Sequence, residues 1–246
     1  MLIRNIKTEG RKYLWKILKL KWRLKTGIQA YVKSDNDWFV FNEIFTDQEY
    51  DEVFQLLPDT GIRDPLVLDL GANVGYFSVR MAHELLMRRM TDFTIYAIEA
   101  SEENYTELLS RTNQPFLVNR CKPIHGLVGQ KNGFSFLNTN TDHFGYHIEK
   151  NNTTGEKTSF IDIEKLLEKD DRRITLLKCD IEGSEEIFLN EYTHLLQKTD
   201  LSIFEFHADA CNIPQCRKYL EESGLKYLKT VKTIHKYQTT VEIFKR

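Results

Sequence analysis

The chain has 246 residues, 41% of them apolar and 28% charged, with a net charge of −2, which suffices for one full core and excludes a general polyanion binder. Its four cysteines, Cys121, Cys179, Cys211 and Cys216, lack paired spacing, which argues against a disulfide scaffold. With no signal-peptide pattern and no apolar run of about 18 residues, a reducing cytoplasmic setting is expected.

The charge is unevenly spread. Residues 1–27 hold nine Lys/Arg against Glu9 alone, a local balance of +8 that leaves −10 on the rest. Residues 11–25 mix Trp15, Trp22 and several Leu with cations, as in an amphipathic helix that lies on an anionic membrane face or packs its apolar stripe on the domain. We read residues 1–30 as a basic arm and 31–246 as one domain. Residues 37–45 alternate like a strand or edge ribbon. Residues 46–57, stopped by Pro58, read as a helix that covers the glycine turn at residues 71–75 from outside, with Tyr50 in reach of a ligand.

Leu66 to Leu70 is a short apolar run of the kind buried on both faces of a parallel sheet. Gly71, Asn73 and Gly75 come next, residues suited to a turn with φ > 0, and the helix over residues 76–90 is expected to aim its N-terminal N–H groups at a ligand. A second buried strand over 93–98 ends in Glu99, and Ser101 caps a helix carrying Tyr105, Leu108 and Leu109. Residues 116–124, interrupted at Pro123, read as a third strand whose end, His125-Gly126, would flank an adenine ring. Phe134 to Leu137 reads as an added hairpin strand.

Residues 138–157 are the longest aperiodic stretch. With Asp142, His143, Tyr146 and His147 they form a candidate acceptor loop or, equally, a solvated one. A capped helix is expected over 159–168. Buried strands over 174–180 and 201–207 end in Asp180 with Glu182 and in Glu205 with His207, and residues 227–244 read as a closing antiparallel hairpin. The class is therefore α/β: a mostly parallel central sheet, helices on both faces and an antiparallel C-terminal edge hairpin.

Ligands of such sheets bind beyond the carboxyl ends of the strands, and four predicted ends carry Asp69, Glu99, Asp180 with Glu182, and Glu205 with His207. Any one of these acids could be a helix cap. The glycine spacing is Gly71-x-x-x-Gly75 with Asn73 between, unlike the G-x-G-x-x-G of a dinucleotide site, and residues 69–79 hold no Lys or Arg for a phosphate. Carboxylates instead suit a ribose diol joined to positive charge, which describes S-adenosylmethionine. Methyl transfer to a hydroxyl needs alignment and a base. Asp180, Glu182 and His207 are the candidates, His207 because it ordinarily titrates near neutrality. Asp180, Glu205 and His207 could instead hold a divalent cation that lowers the acceptor's pKa, but we assign no metal. His207, Cys211 and Cys216 lack a fourth soft ligand for zinc.

Residues 68–78 (Leu-Asp-Leu-Gly-Ala-Asn-Val-Gly-Tyr-Phe-Ser), Ile98-Glu99 with Glu103-Asn104, Phe160-Ile-Asp162 and above all residues 177–186 (Leu-Lys-Cys-Asp-Ile-Glu-Gly-Ser-Glu-Glu) resemble the FkbM family of S-adenosylmethionine-dependent methyltransferases. The resemblance implies a Rossmann-like class I methyltransferase fold, with residues 69–76, including Tyr76, around the methionine part and Glu99 on the ribose. Ala100 stands where the family usually has proline, and residues 125–129 follow the family's third-strand end loosely. The cofactor set is thus Asp69, Gly71, Asn73, Gly75, Tyr76, Glu99, Ala100, Gly126 and Asp180. The resemblance further implies O-methylation of a saccharide in a glycan, lipopolysaccharide or glycolipid, or of a natural product. A non-catalytic cofactor-binding module is the alternative. No nucleic-acid partner is expected, and residues 1–27 allow a peripheral contact with the inner membrane face.

Overall fold

The computed structural model describes residues 15, 17, 20–58, 62–137, 155–235 and 238–246. A hairpin opens it: β1 (Leu20–Arg23) pairs antiparallel with β2 (Gln29–Val32) around a turn at Gly27, whose φ is +93°. The helix expected over 11–25 is therefore strand at 20–23. The alternation of β2, with Ala30 and Val32 buried, sets one face of the hairpin on the core. Residues 1–14 of the basic arm lie outside the described residues.

The strand expected over 37–45 is instead α1 (Asp35–Phe41), continued by a π-helical turn over Asn42–Thr46. Ser34 caps it by accepting from Asp37 N, and Asp35 and Asp37 sit in the first turn, where the helix dipole favours acids. The spacing of Trp38, Phe41 and Phe45 then stacks three rings along one side, with centroids 5.9 and 4.8 Å apart. The helix expected over 46–57 shrinks to α2 (Asp51–Gln55), because the chain turns at Gln48, φ +58°.

Next come β3 (Leu66–Leu70), α3 (Tyr76–Met87), β4 (Thr94–Glu99), α4 (Glu102–Thr112) and β5 (Cys121–His125). β5 starts later than expected, since Phe116 turns the chain at φ +77°; as an edge strand it tolerates Pro123. β6 (Phe134–Leu137) pairs with β7 (Glu156–Ser159), so Ser159 closes a strand where a helix was expected, and α5 (Ile163–Leu166) begins only after its cap Asp162. Of the acceptor loop expected over 138–157, residues 138–154 with His143 and His147 lie outside the described residues, while Glu156 and Lys157 belong to β7 and not to a loop. The chain continues through β8 (Ile174–Cys179), α6 (Glu185–Glu191), α7 (Thr193–Gln197), β9 (Leu201–His207), α8 (Ile213–Glu222), β10 (Lys226–Ile234) and β11 (Thr239–Lys245).

Seven strands form the main sheet in the order β10-β11-β9-β8-β3-β4-β5. The five from β9 to β5 run parallel, while β11 and β10 add the antiparallel edge. Successive strand residues feed opposite cores: Val67 joins the layer of α3 and the first hairpin, and Leu66, Leu68 and Leu70 join that of Phe188, Tyr192 and Leu220. That double burial is why these strands read as unbroken apolar runs. Strand order reverses between β3 and β8, so the connections leave in opposite directions and open a crevice there.

Candidate active site at the strand reversal

The turn after β3 is built from backbone conformations that few residues adopt: φ is +73° at Gly71, +51° at Asn73 and +93° at Gly75. Gly71 is required for a second reason, because a Cβ there would lie 1.7 Å from the carbonyl oxygen of Asp180. The N–H groups of the turn itself, ahead of the helix whose N-terminus was expected to face a ligand, are spent within the protein. Gly71 and Ala72 donate to Ile98 O, Asn73 to Glu99 Oε2, Val74 to Asn73 Oδ1 and Gly75 to Ala72 O. With those five donors spent on protein acceptors, the turn cannot serve as a diphosphate cradle.

Beside the turn lies a cavity of about 450 Å³. Gly71, Asn73 and Tyr76 form one wall, Asp180, Glu182, Glu205 and His207 another, and Phe39, Val40, Ile44, Tyr50 and Phe77 an apolar third. All three candidate catalytic residues therefore face one space. Tyr50 serves both core and site, packing edge-on against Phe77 at 4.9 Å while lining the cavity; burial, with Glu49 and Asp180 nearby, holds its hydroxyl well above its ordinary pKa.

The cofactor set divides. Asp69 is fully buried beneath the turn, where Oδ2 accepts from Ser78 Oγ at 2.6 Å and Lys178 Nζ lies 3.7 Å from Oδ1. Burial pushes its pKa up, against Lys178 and Ser78. Glu99 spends one oxygen on Asn73 N and the other on Ser101 N, at 2.7 and 2.9 Å, which ties the β4 end to the turn. Burial raises its pKa, against those two hydrogen bonds. Asp69, Gly75, Glu99, Ala100 and Gly126 stand off the cavity wall, so the four acidic strand ends share a crevice region but not one open surface.

His207 departs most from expectation. Its Nε2 lies 3.2 Å from Glu182 Oε2 and its Nδ1 3.0 Å from Glu185 Oε1. Burial disfavours the imidazolium, but hydrogen bonds to Glu182 and Glu185 outweigh it and push the pKa up to about 12. His207 is thus a held cation, not a group titrating near neutrality. Glu205 shifts the other way in charge: burial first, then Asp180, raises its pKa well above the usual carboxylate range, against His207.

Lys178 and Glu185 escaped the sequence reading. Lys178 Nζ donates to Gly71 O at 2.6 Å and to Asp180 Oδ2 at 3.3 Å. Burial opposes its charge, yet Asp180 and Asp69 raise its pKa. A lysine inside a strand buried on both faces was the available signal. Glu185, fully buried, also accepts from Ile181 N and Gly183 N, and so shapes the turn that carries Glu182 at φ +53°.

A mostly parallel sheet with a strand-reversal crevice, an acidic strand end on each side and an antiparallel closing hairpin defines the class I methyltransferase fold. The family model described as "Methyltransferase FkbM domain" matches residues 69–227, and the chain belongs to that family. Among solved structures, methyltransferase FkbM from Methylobacillus flagellatus is 15% identical with a TM-score of 0.52, the match covering 85% of this chain and 53% of that one. The chain thus spans about half the length of that protein. Aeropyrum pernix fibrillarin in complex with S-adenosylmethionine is 10% identical with a TM-score of 0.52, covering 92% of this chain and 82% of its own. At these identities the likeness is one of fold. Comparison with curated proteins gave no match.

The family's cofactor is S-adenosylmethionine, and the residues present fit it. The turn offers no donor set for a diphosphate, while carboxylates of Asp180, Glu182 and Glu205 border the cavity and Glu99 stands behind Asn73. That donor set matches a ligand with a sulfonium, an ammonium and a ribose diol.

Proposed function

We propose that the protein transfers the methyl group of S-adenosylmethionine to a hydroxyl, most simply of a saccharide in a glycan, lipopolysaccharide or glycolipid. The observation that carries this reading is the shared cavity: the glycine turn on one side, Asp180 with Glu182 on the other and an aromatic wall between them. Carboxylates accept from sugar hydroxyls, and aromatic faces cover the apolar faces of sugar rings. The cofactor supplies an activated methyl group. This chain's residues hold it at Gly71, Asn73, Tyr76 and Asp180, with Glu99 bracing the turn from behind through Asn73 N, and align the acceptor for in-line attack.

Because His207 carries its proton at neutral pH, the base is Asp180, which reaches the cavity and is oriented by Lys178. His207 instead fixes Glu182 on the cavity wall. The basic residues of the first 27 positions suit a resting contact with an anionic membrane surface where a lipid-linked saccharide would be met. Among the described residues no helix is long and apolar enough to cross a membrane.

Calorimetric titration with S-adenosylmethionine and with NAD tests the cofactor: heat from the first alone is expected, and heat from the second alone would end the proposal. The acceptor is tested by mass spectrometry of surface glycans from a deletion strain, which should lose one methylene increment from a saccharide residue. Intact glycan masses in that strain would remove the saccharide assignment.

A further inference from the structure

Asp180 follows β8, and Glu205 and His207 are the third-last and last residues of β9, the parallel strand beside it. One ligand atom from each of the three lies within 4.8 Å of the others, and all three line the cavity. Two further observations distinguish this trio from an ordinary acidic surface. The side chain of Glu205, recessed in the cavity wall, makes no hydrogen bond or ion pair among the described residues. Behind His207 stands Glu185, fully buried, whose Oε1 lies 3.0 Å from Nδ1 and fixes the ring so that Nε2 is left on the side of Glu182 and the cavity. A carboxylate on one imidazole nitrogen, orienting the other outward, is the support that metal-ligating histidines almost always have.

The trio spans two strand ends, so its spacing is set by the sheet and not by a mobile loop. Asp180, Glu182 and Glu205 bring three carboxylates to this corner against Lys178 and His207, and Lys178 reaches only one oxygen of Asp180, Oδ2.

We propose that Asp180, Glu205 and His207 bind one divalent cation of the manganese and magnesium class in the cavity. Two carboxylates and one imidazole supply three ligands, and the remaining positions stay open to water or to an acceptor oxygen. On binding, Nε2 exchanges its hydrogen bond to Glu182 for the cation, and the Nε2 proton of His207 and the carboxyl proton of Glu205 pass to solvent while Nδ1 keeps its proton toward Glu185. One consequence rests on the methyl-transfer reading: an acceptor hydroxyl on the cation then loses its proton more easily. The binding itself is independent of that reading.

The test needs neither acceptor nor cofactor. Full-length protein, freed of metal with a chelator and then desalted, is titrated with Mn²⁺ while the free-ion signal is followed by electron paramagnetic resonance. One bound ion per chain is expected. Glu205→Gln and Asp180→Asn should each weaken binding by about tenfold or more, while Glu221→Gln on the surface should leave it unchanged. Titration of Glu205→Gln, which lies outside the proposed cofactor contacts, with S-adenosylmethionine shows separately that the fold and the cofactor site survive, and urea unfolding shows the same of the fold of Asp180→Asn. No Mn²⁺ binding up to millimolar concentration, or wild-type affinity in both site variants, overturns the proposal. Absence of S-adenosylmethionine binding in the unmodified protein with Mn²⁺ binding intact would overturn the methyltransferase reading and leave the cation site standing.

Discussion

Lys178 Nζ lies 2.6 Å from the carbonyl oxygen of Gly71, so an ammonium from within the sheet braces the turn beside which the cavity opens. The same nitrogen is the nearest positive charge to Asp69, at 3.7 Å, and Asp69 Oδ1 has no hydrogen-bond partner. Replacing Lys178 with Met would leave that carboxylate buried and uncompensated. A loss of about 3–5 kcal/mol in urea unfolding is expected, as for other buried pairs broken from one side. Asp69→Asn in the Lys178→Met background should restore part of it, because the double variant no longer buries a lone charge. Wild-type stability of Lys178→Met would show that Ser78 alone compensates Asp69.

Gly71 can be separated from glycines that matter only for the backbone. Gly71→Ala places a methyl group where Asp180 O already sits, in addition to the strain of φ +73°. Gly133→Ala meets a similar strain at φ +96°, but its nearest neighbour is the end of the Gln130 side chain at 3.0 Å. Both should cost about 1–2 kcal/mol of stability from backbone strain alone. Only Gly71→Ala should also reduce S-adenosylmethionine affinity in calorimetry, since only it displaces Asp180. Equal affinities in the two variants would detach Asp180 from the cofactor.

The strands and the turn could be read from the chain because local chemistry decides them. Leu66 to Leu70 and Ile174 to Cys179 are apolar on both faces, and Gly71, Asn73 and Gly75 take the positive φ values their types allow. α1 could not be read that way. Trp38, Phe39, Val40 and Phe41 fit either period, and what selects the helix is the pairing of Asp37 with Arg111, 74 residues on, at 2.6 Å. β7 was hidden for a similar reason, since its partner β6 lies across a long connection. Acidic strand ends were visible, but not their orientation: the pleat turns Asp69 onto the α3 side, under Ser78, whereas Asp180 reaches the cavity. His207 illustrates the limit most sharply, because its ordinary pKa says nothing of two carboxylates brought to it by folding.

Asp180 carries the chemistry in the proposed reaction, and its removal should separate catalysis from binding. Asp180→Asn keeps the size of the side chain and its contact with Lys178 through the amide oxygen, but cannot take a proton. Transfer of label from methyl-tritiated S-adenosylmethionine into extracted glycans should fall by about 10²–10⁴-fold, the usual worth of a general base. Because Asp180 also lies on the cofactor, affinity for S-adenosylmethionine should fall as well, but by a smaller factor than turnover. Unchanged turnover would move the base elsewhere in the cavity.

His83 offers a pH dependence remote from the site. It is buried on α3, with Nδ1 2.9 Å from Thr26 Oγ1 in the turn between β1 and β2. Burial lowers its pKa, with Arg80 and Lys25 acting in the same direction and Glu84 against them. The folded value therefore lies below the unfolded value of about 6.5, and the unfolded chain binds the proton first. Stability from this group is present above about pH 6.5 and declines as pH falls toward the folded pKa. Urea unfolding of the wild type should weaken between about pH 7 and pH 5 relative to His83→Gln, which has no charge to acquire. A histidine C2–H titration by NMR gives the same quantity directly. A midpoint at or above about 6.5 would mean that the buried imidazole already accommodates its charge, and that the hairpin's hold on α3 is indifferent to pH.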